Sequence, residues 1–440
     1  MDNYVKRWFI LFAGICANLC QGAAYASSVF AMPMMFFLHQ TVMKAGKPAP
    51  DMAKWALAFS INLAMLPVGM LLTGRIADKV SPRLVVFLGA LVFGGGMLLA
   101  GWTSSLMYFY VTFGIMMGLG SGMAYGAVVA TSVRWFPERR GLASGLSVGA
   151  LGLGTVLIAP IADKLVGKPE IVPTSIMPLV LGLSPASAHH LLTTFKILGV
   201  AFLAIMCLAS IFMVSPPKDF APAKQSAAAK KASAVPDVEW TTMLFTGKFW
   251  LLFFTYACGA FTGLMIISQA KPIAMDLKNS GMDPKALGAY AVAVVSSIGL
   301  ANALGRVFWA TVSDWIGRYW ALSLMFLITA VTVFLMPGFA AQKHSLLVAG
   351  VVLGACYGGY LGIFPTLCAD SFGSKNMALN YALLFFAFAV AAIAGPYAAG
   401  FIKNMSGSYS QAFVVAGAVA TLGLVLTIIQ TVTQPKAKAA

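Results

Sequence analysis

The sequence predicts an all-α membrane protein with twelve transmembrane helices arranged in two six-helix halves. The first observation is compositional: 60% of the 440 residues are hydrophobic and only 10% are charged. In soluble globular proteins, roughly 45–50% of the residues are apolar and roughly 25% are charged. A water-soluble core of this size cannot hide that many apolar residues. The composition therefore excludes a soluble enzyme, a secreted disulfide scaffold, a coiled coil and a nucleic-acid module.

The second observation is that the apolar residues form long continuous runs. A transmembrane helix requires about 20 mostly apolar residues, and twelve such runs follow one another along the chain, numbered here as spans 1 to 12. Membrane β-strands are shorter and alternate in polarity, so these runs predict helices. The predicted bounds are 8–36, 54–76, 84–103, 106–133, 141–162, 190–214, 249–275, 286–311, 319–341, 346–369, 378–402 and 411–433.

The third observation is a change of composition midway along the chain. Residues 215–247 are rich in Lys, Ala, Ser and Pro, which is typical of a flexible linker. They divide the chain into an N-terminal half, 1–214, and a C-terminal half, 248–440. A second long loop, 164–189, carries four prolines, and we assign it no function. Because one chain holds both halves, we expect a monomer.

The distribution of Lys and Arg predicts the orientation in the membrane. The N-terminus, the loops after even-numbered spans and the C-terminal tail carry most of the 29 basic residues. The positive-inside rule makes that side cytoplasmic. We therefore expect a multi-pass protein of the cell (inner) membrane with both termini in the cytoplasm. The net charge of +16 fits this bias and the attraction of anionic lipid.

A short motif recurs at matching places in the two halves. After span 2, Gly74 is followed four residues later by Asp78 and then by Arg83; after span 8, Ala310 is followed by Asp314 and Arg318. Internal repeats of this kind are a property of transporters that alternate between two states. We expect these four charged residues to act as a conformational latch: Asp78, Arg83, Asp314 and Arg318.

Ionisable residues inside a membrane span require a partner and often mark a functional site. Arg306 lies in span 8, about 12 Å along the helix from Asp314 at 1.5 Å per residue. A guanidinium at that depth suits the binding of a carboxylate. Asn302 lies one helical turn before Arg306 and therefore on the same face. Arg306 could alternatively be structural, and Asn302 could be a packing residue.

Three tyrosines lie near the middle of spans and could offer a hydroxyl to a carboxylate: Tyr25, Tyr125 and Tyr357. Each could equally be a packed core aromatic. Glycines around Tyr125 and Tyr357 allow other groups to approach closely. The six cysteines fall in apolar stretches without a CxxC pair, which indicates buried thiols without a disulfide or a metal.

The repeated loop motif and the central linker resemble the major facilitator superfamily. Within it, the segments 7–9, 21–30 and 134–145, above all Arg134-Trp-Phe-Pro, resemble the oxalate/formate antiporter family, which is related to the monocarboxylate transporters. The resemblance implies that Arg306 anchors a carboxylate. It also places Phe388 where the oxalate-exchanging members carry a Lys, and Asn302 where related mammalian transporters carry Asp.

With Arg306 as the only deep cation, a monoanion is favoured over a dianion, because a net charge in a low-dielectric site is costly. We expect Phe385, Phe388 and Leu151 to form an apolar wall for a short aliphatic chain. The expected function is therefore transport of a small, lactate-like monocarboxylate with a proton. We expect no metal or cofactor, and the sequence lacks an ATP-binding Gly-x4-Gly-Lys-Ser/Thr motif.

The proton could travel with the substrate or through Asp276 or Asp283 near the outer end of span 7. Lys271 could be a gate partner of these carboxylates or an interfacial lysine. Two alternative functions stay open, namely an oxalate/formate-type anion exchanger and a carboxylate sensor that does not transport. An enzyme is disfavoured, because the spans contain no nucleophile–base pair.

Overall fold

The computed structural model describes residues 3–26, 28–44, 47–173, 181–217, 236–275, 283–339, 342–406 and 408–433. Within these ranges, ten helices are long and apolar enough to cross a membrane. They form spans 2–8 and 10–12: Met52–Lys79, Pro82–Ala100, Leu106–Trp135, Arg140–Val166, Pro185–Phe212, Gly247–Ile267, Pro284–Ile316, Lys343–Phe372, Met377–Ser406 and Ser410–Thr433. Span 9 is the shorter apolar helix Arg318–Phe334. The all-α membrane fold with twelve spans is confirmed.

Span 1 differs from the continuous helix predicted over 8–36. Its described residues are helical over Asn3–Gln21, Ala23–Ala26 and Ser28–Phe37, with a one-residue turn at Gly22 between the first two segments. A Cβ at Gly22 would lie 2.5 Å from the carbonyl oxygen of Leu151 in span 5. The carbonyl of Gly22 instead accepts a hydrogen bond from Thr155 Oγ1 at 3.2 Å. Gly22 therefore allows span 5 to approach the backbone of span 1 closely.

Span 4 contains one segment of π-helix. Tyr110–Met116 is π-helical and joins Leu106–Phe109 to Met117–Trp135. A π-helical segment adds a residue to the turn and leaves backbone groups poorly paired. The buried Asn62 of span 2 donates from Nδ2 to the carbonyl of Phe113 at 2.8 Å. That hydrogen bond satisfies one of the carbonyls of the π-helix.

Among the described residues, two small antiparallel sheets lie in loops between predicted spans. Strand β1, Thr41–Lys44, pairs with strand β2, Lys47–Pro50, and strand β3, Ile171–Pro173, pairs with strand β4, Leu181–Leu183. Three further short helices lie between the spans: Trp240–Leu244, Ala270–Met275 and Met336–Phe339.

The chain divides into two compact units. Unit 1 consists of Met1–Thr131 and Ala150–Pro217, and unit 2 consists of Ser132–Gly149 and Lys218–Ala440. Residues 132–149 hold the Arg134-Trp-Phe-Pro motif and the first ten residues of span 5, and they pack within unit 2. Most of the predicted linker, 218–235, lies outside the described residues. The division into halves 1–214 and 248–440 stays a prediction.

The spans keep apolar side chains on both their inner and outer faces. In unit 2 a buried cluster includes Met265, Val294, Val333 and Phe413, while Phe254, Leu304 and Val348 are more than half exposed on their spans. Exposure of large apolar side chains along a whole helix is the property of a helix whose solvent is lipid. All six cysteines are free thiols.

Candidate functional site

Arg306 is the one deep cation that the sequence singled out, and the structure places it in a buried position of unit 2. Its side chain is 4% exposed. Nε donates to Asn302 Oδ1 at 3.1 Å, and Nη1 donates to the carbonyl of Val148 at 2.8 Å. Asn302 therefore orients the guanidinium, as the one-turn spacing suggests. These bonds leave Nη2 without a hydrogen-bond partner among the described residues, and its two N–H groups are suited to a carboxylate.

Glycines allow the helices beside Arg306 to approach at backbone distance. A Cβ at Gly362 in span 10 would overlap the Arg306 carbonyl, and one at Gly358 would overlap the carbonyl of Asn302. In span 5, a Cβ at Gly145 would lie 2.8 Å from the Arg306 carbonyl. These contacts fix the helix backbone on which Arg306 and Asn302 are carried.

Tyr357 of span 10 is 5% exposed and packs its ring on Gly263 of span 7. One turn further along span 10, Tyr360 shares a hydrogen bond with Thr329 at 3.1 Å. A small cavity with a mainly apolar wall is lined by Thr262, Gly263, Ile266, Thr329, Leu353, Tyr357 and Tyr360. Tyr357 therefore borders a mainly apolar cavity within the same unit as Arg306.

The two phenylalanines predicted for the apolar wall belong to an aromatic cluster. Phe385 and Phe388 are 3% and 2% exposed, and their ring centroids lie 4.9 Å apart. Tyr256 of span 7 lies 6.1 and 6.4 Å from these two rings and stacks on Phe364 at 4.1 Å. Tyr256 and Phe364 could not be identified from the sequence, because an aromatic residue in an apolar run is indistinguishable from an ordinary core residue.

The other predicted wall and hydroxyl residues belong to unit 1. Tyr125 and Leu151 are 3% and 4% exposed. One turn before Tyr125, Ser121 donates to Gln21 Oε1 at 3.0 Å, and Gln21 Nε2 donates to Asn18 Oδ1 at 3.0 Å. Tyr125 therefore follows a buried polar network that joins spans 1 and 4.

One predicted tyrosine is described only by its backbone. Tyr25 lies in the short helix Ala23–Ala26, and its side chain lies outside the described part of the structure. Its proposed hydroxyl therefore stays a prediction.

The residues considered for proton coupling lie at the end of span 7 and the start of span 8. Lys271 is exposed on the helix Ala270–Met275, and Asp276 lies outside the described residues. Asp283 is the N-cap of span 8, where Oδ1 accepts from the backbone N–H of Ala286 at 2.7 Å. Asp283 thus has a structural role that is compatible with, but independent of, proton transfer.

The second copy of the loop motif forms a network of charges inside unit 2. Arg318 Nη2 lies 2.6 Å from Asp314 Oδ1, and Arg318 Nε lies 3.0 Å from Asp370 Oδ2. Asp370 also accepts from Arg140 Nη1 at 2.8 Å. Two cations and two carboxylates therefore alternate in one half-buried cluster, in which each charge is compensated.

Asp314 also binds the N-terminus of span 5. Its Oδ1 accepts from the N–H of Gly141 at 2.9 Å, and its Oδ2 accepts from the N–H of Leu142 at 3.0 Å. The first N–H groups of a helix have no partner within it and carry partial positive charge. The carboxylate of Asp314 supplies both hydrogen-bond acceptors and a negative charge to this helix end.

The first copy of the motif has a different setting in unit 1. Asp78 is partly exposed near the end of span 2, and Arg83 is exposed in the first turn of span 3. Ser81 caps that helix, and Pro82 is its first residue. The four latch residues therefore do not share one environment.

Two members of the charge network were absent from the predicted site. Asp370 is a lone acidic residue near the end of span 10, and Arg140 lies in the Arg134–Gly145 segment that carries the family resemblance. A single charge at the end of a span is usual in a membrane protein, so the sequence offered no signal that paired them. Among the described residues, no group of three or more His, Cys, Asp or Glu side chains could hold a metal.

The helical spans define the class: a multi-pass α-helical membrane protein, with the buried guanidinium of Arg306 in one of its spans. The Major Facilitator Superfamily model matches residues 14–300 and 277–440. The chain belongs to the major facilitator superfamily, and it is a transporter of that superfamily.

Two relatives of this chain have names that refer to the transport of small organic anions. The "Oxalate:formate antiporter" of Oxalobacter formigenes is 30% identical over 399 residues, covering 89% of this chain and 83% of that protein. "Monocarboxylate transporter 13" of Rattus norvegicus is 25% identical over 377 residues, covering 84% of this chain and 78% of that protein. The resemblance to the oxalate/formate antiporter and monocarboxylate transporters is confirmed at this level.

The fold is shared with solved transporters of the superfamily. A crystal structure of the Escherichia coli fucose:proton symporter FucP superposes with a TM-score of 0.70 over 96% of this chain and 98% of that one, at 14% identity. At this identity the comparison speaks for the fold alone.

Proposed function

We propose that the protein is a secondary active transporter that moves a small, lactate-like monocarboxylate across the cell (inner) membrane by alternating access, with symport of a proton. The observation that carries the proposal is Arg306, a buried guanidinium that Asn302 and Val148 orient through Nε and Nη1. Its Nη2 is available to a carboxylate. A guanidinium presents planar donors that match the two oxygens of a carboxylate.

The preference for a monoanion rests on the surroundings of span 11. Phe388 lies in an aromatic cluster with Phe385 and Tyr256, so that cluster supplies no second positive charge. A dianion would leave an uncompensated negative charge in a site of low dielectric constant, which costs several kcal/mol. An aromatic wall instead favours the alkyl group of a short monocarboxylate.

The experiment that tests this proposal is uptake of labelled L-lactate into proteoliposomes with and without an imposed inward proton gradient. Accumulation in empty vesicles that follows the pH gradient is expected for proton symport. Vesicles preloaded with formate or oxalate run in parallel. Uptake only against a preloaded anion, with no response to pH, would contradict symport.

The second candidate is an anion exchanger of the oxalate/formate type. The 30% identity to the oxalate:formate antiporter favours it, and Lys271 would have to supply the second cation. Lys271 is exposed at the end of span 7, and among the described residues no contact of Lys271 with Arg306 or the aromatic cluster supports that role. We therefore rank exchange below symport.

The route of the proton is a separate part of the proposal. We infer that it moves with the substrate carboxylate or through Asp276 or Asp283. Asn caps a helix about as well as Asp, so Asp283→Asn preserves the N-cap of span 8 and removes only the titratable group. If Asp276→Asn and Asp283→Asn both keep pH-driven accumulation, the route through these carboxylates is wrong and the route with the substrate is supported.

A further inference from the structure

The end of the linker is bound to the loop between spans 10 and 11. The backbone N–H of Val238 donates to the carbonyl of Phe372 at 2.9 Å. The backbone N–H of Lys375 donates to Asp237 Oδ1 at 3.0 Å. Lys375 and Asp237 are 138 positions apart in the chain, and all four residues belong to unit 2. The last residues of the linker thus form a specific contact with this loop.

Two side-chain amides strengthen the contact. Asn376 and Asn380 both donate from Nδ2 to the carbonyl of Val238, at 3.3 and 2.9 Å. Asn380 is fully buried in the first turn of span 11. Both backbone groups of Val238 are therefore hydrogen-bonded to the connection between spans 10 and 11.

Glycine is required where the linker comes closest. Gly373 has φ +81, in the left-handed region, and a Cβ built on it would overlap Asp237 Oδ1 and lie 2.7 Å from Asp237 Cα. Any larger residue would displace the linker as well as strain the backbone. The loop is shaped to receive Asp237.

A cation holds the same loop from another segment of the chain. Arg134 donates from Nε to the carbonyl of Ser374 at 2.7 Å and from Nη2 to the carbonyl of Lys375 at 2.8 Å. The two residues after it, Trp135 and Phe136, are buried, and they fix the start of the arginine side chain. The Arg-Trp-Phe-Pro motif has no part in the proposed substrate site. Its arginine side chain instead binds the backbone carbonyls of the loop.

We propose that Asp237, Val238 and Arg134 form a clasp on residues 373–376, and that opening and closing of this clasp controls the conformational step of transport. The loop joins span 10, which carries Tyr357, to span 11, which carries Phe388. Asp237 pairs a loop N–H and Arg134 pairs two loop carbonyls, so the loop cannot shift without breaking these bonds. Conformational steps set the turnover of many proteins with moving elements.

Hydrogen–deuterium exchange of the full-length protein tests whether the clasp exists. Asp237→Ala removes the acceptor of the Lys375 N–H, and Gly373→Ala displaces Asp237. In both variants we expect exchange in residues 373–376 to rise about fivefold, which corresponds to the loss of one hydrogen bond of about 1 kcal/mol. Asp237→Asn retains an Oδ1 acceptor and should keep the wild-type exchange.

Gly167→Ala is the matched control for backbone strain. Gly167 has φ +69 and open space where its Cβ would be, so it reproduces the strain of Gly373→Ala without touching the clasp. It should leave exchange in residues 373–376 unchanged. Unchanged exchange in both Asp237→Ala and Gly373→Ala would overturn the clasp.

A transport measurement tests whether the clasp controls turnover, and this part rests on the proposed function. The anion is whichever of lactate, formate or oxalate the wild-type protein carries fastest in proteoliposomes. Asp237→Ala and Arg134→Gln should change the maximal rate by about fivefold and leave the KM within about twofold, and Asp237→Asn should restore the rate. Raised exchange with an unchanged rate would overturn control of turnover. Absence of all transport in the wild type would contradict the proposed function alone, while the exchange experiment would still decide the clasp.

Discussion

Arg306 is a charged side chain that is buried and whose guanidinium is held in one orientation by hydrogen bonds. Asn302 and the carbonyl of Val148 hold two of its nitrogens, and close glycine contacts hold its backbone. The sequence could indicate Arg306, because a cation so deep in an apolar run is rare. It could not indicate the Val148 carbonyl, because any residue has one.

Arg306→Lys should raise the KM for the transported monocarboxylate by about tenfold or more, because the ammonium keeps the charge but loses the planar fork. The measurement is the concentration dependence of uptake in proteoliposomes. Asn302→Asp is the companion variant: it keeps an acceptor for Nε but adds a negative charge beside the guanidinium. An unchanged KM in Arg306→Lys would refute recognition through two donors.

Phe388→Lys should shift selectivity towards a dianion. A second cation would compensate the second carboxylate of oxalate, so we expect the ratio of oxalate to lactate uptake to rise by about tenfold or more, given several kcal/mol for an unpaired charge. Phe388→Met is the control, since it changes the shape of the wall without adding charge. An equal shift of the ratio in both variants would mean that packing, not charge, determines selectivity.

The two loops after spans 2 and 8 show that one motif can fold into two different settings. Arg318 is 12% exposed and bridges two carboxylates, whereas Arg83 is exposed. The repeat in the sequence was visible, but its difference in burial was not, because burial depends on residues such as Asp370 that come from another span. Ser81 and Pro82 belong to the exposed copy.

Arg318→Met should destabilise the protein far more than Arg83→Met. Removing one member of a buried ion pair leaves an uncompensated charge and costs about 3–5 kcal/mol, while removal of an exposed charge usually costs less than about 1 kcal/mol. Thermal unfolding in detergent, followed by tryptophan fluorescence, measures both variants. Equal melting temperatures would show that the network around Asp370 contributes nothing to stability.

The irregular elements were the least predictable part of the fold. The one-residue turn at Gly22 lies where Leu151 approaches the backbone closely, and a carbonyl of the π-helix Tyr110–Met116 accepts a hydrogen bond from the amide of Asn62. Both contacts come from a neighbouring span, and the local sequence does not reveal them. Composition and run length therefore predicted the spans but not these local irregularities.

At the scale of the whole molecule, the distribution of residues reflects two environments, lipid around the spans and water around the loops. Apolar side chains cover the spans, and the basic residues collect at one predicted side, which is the basis of the predicted orientation. The division into units could not, since the segment Ser132–Gly149 packs with unit 2 although it precedes the linker. Only tertiary contacts reveal such an exchange of segments.

Fusion of reporters to the chain should place both termini in the cytoplasm. We expect a C-terminal green fluorescent protein to fluoresce and a C-terminal alkaline phosphatase to be inactive, because the first requires a cytoplasmic and the second an external location. Fusions truncated after span 11 are the control and should give the opposite pattern. The same pattern in both sets would mean that the orientation or the number of spans is wrong.

The glycine contacts around Arg306 also limit how this protein can be re-engineered. Spans 8 and 10 touch through backbone at Gly305, Gly358 and Gly362, so almost any side chain added on those faces would push the two helices apart. Span 11 presents side chains, not backbone, to its aromatic neighbours. New substrate preferences are therefore best sought by varying span 11, whereas a library built on the faces of spans 8 and 10 would return mainly unfolded protein.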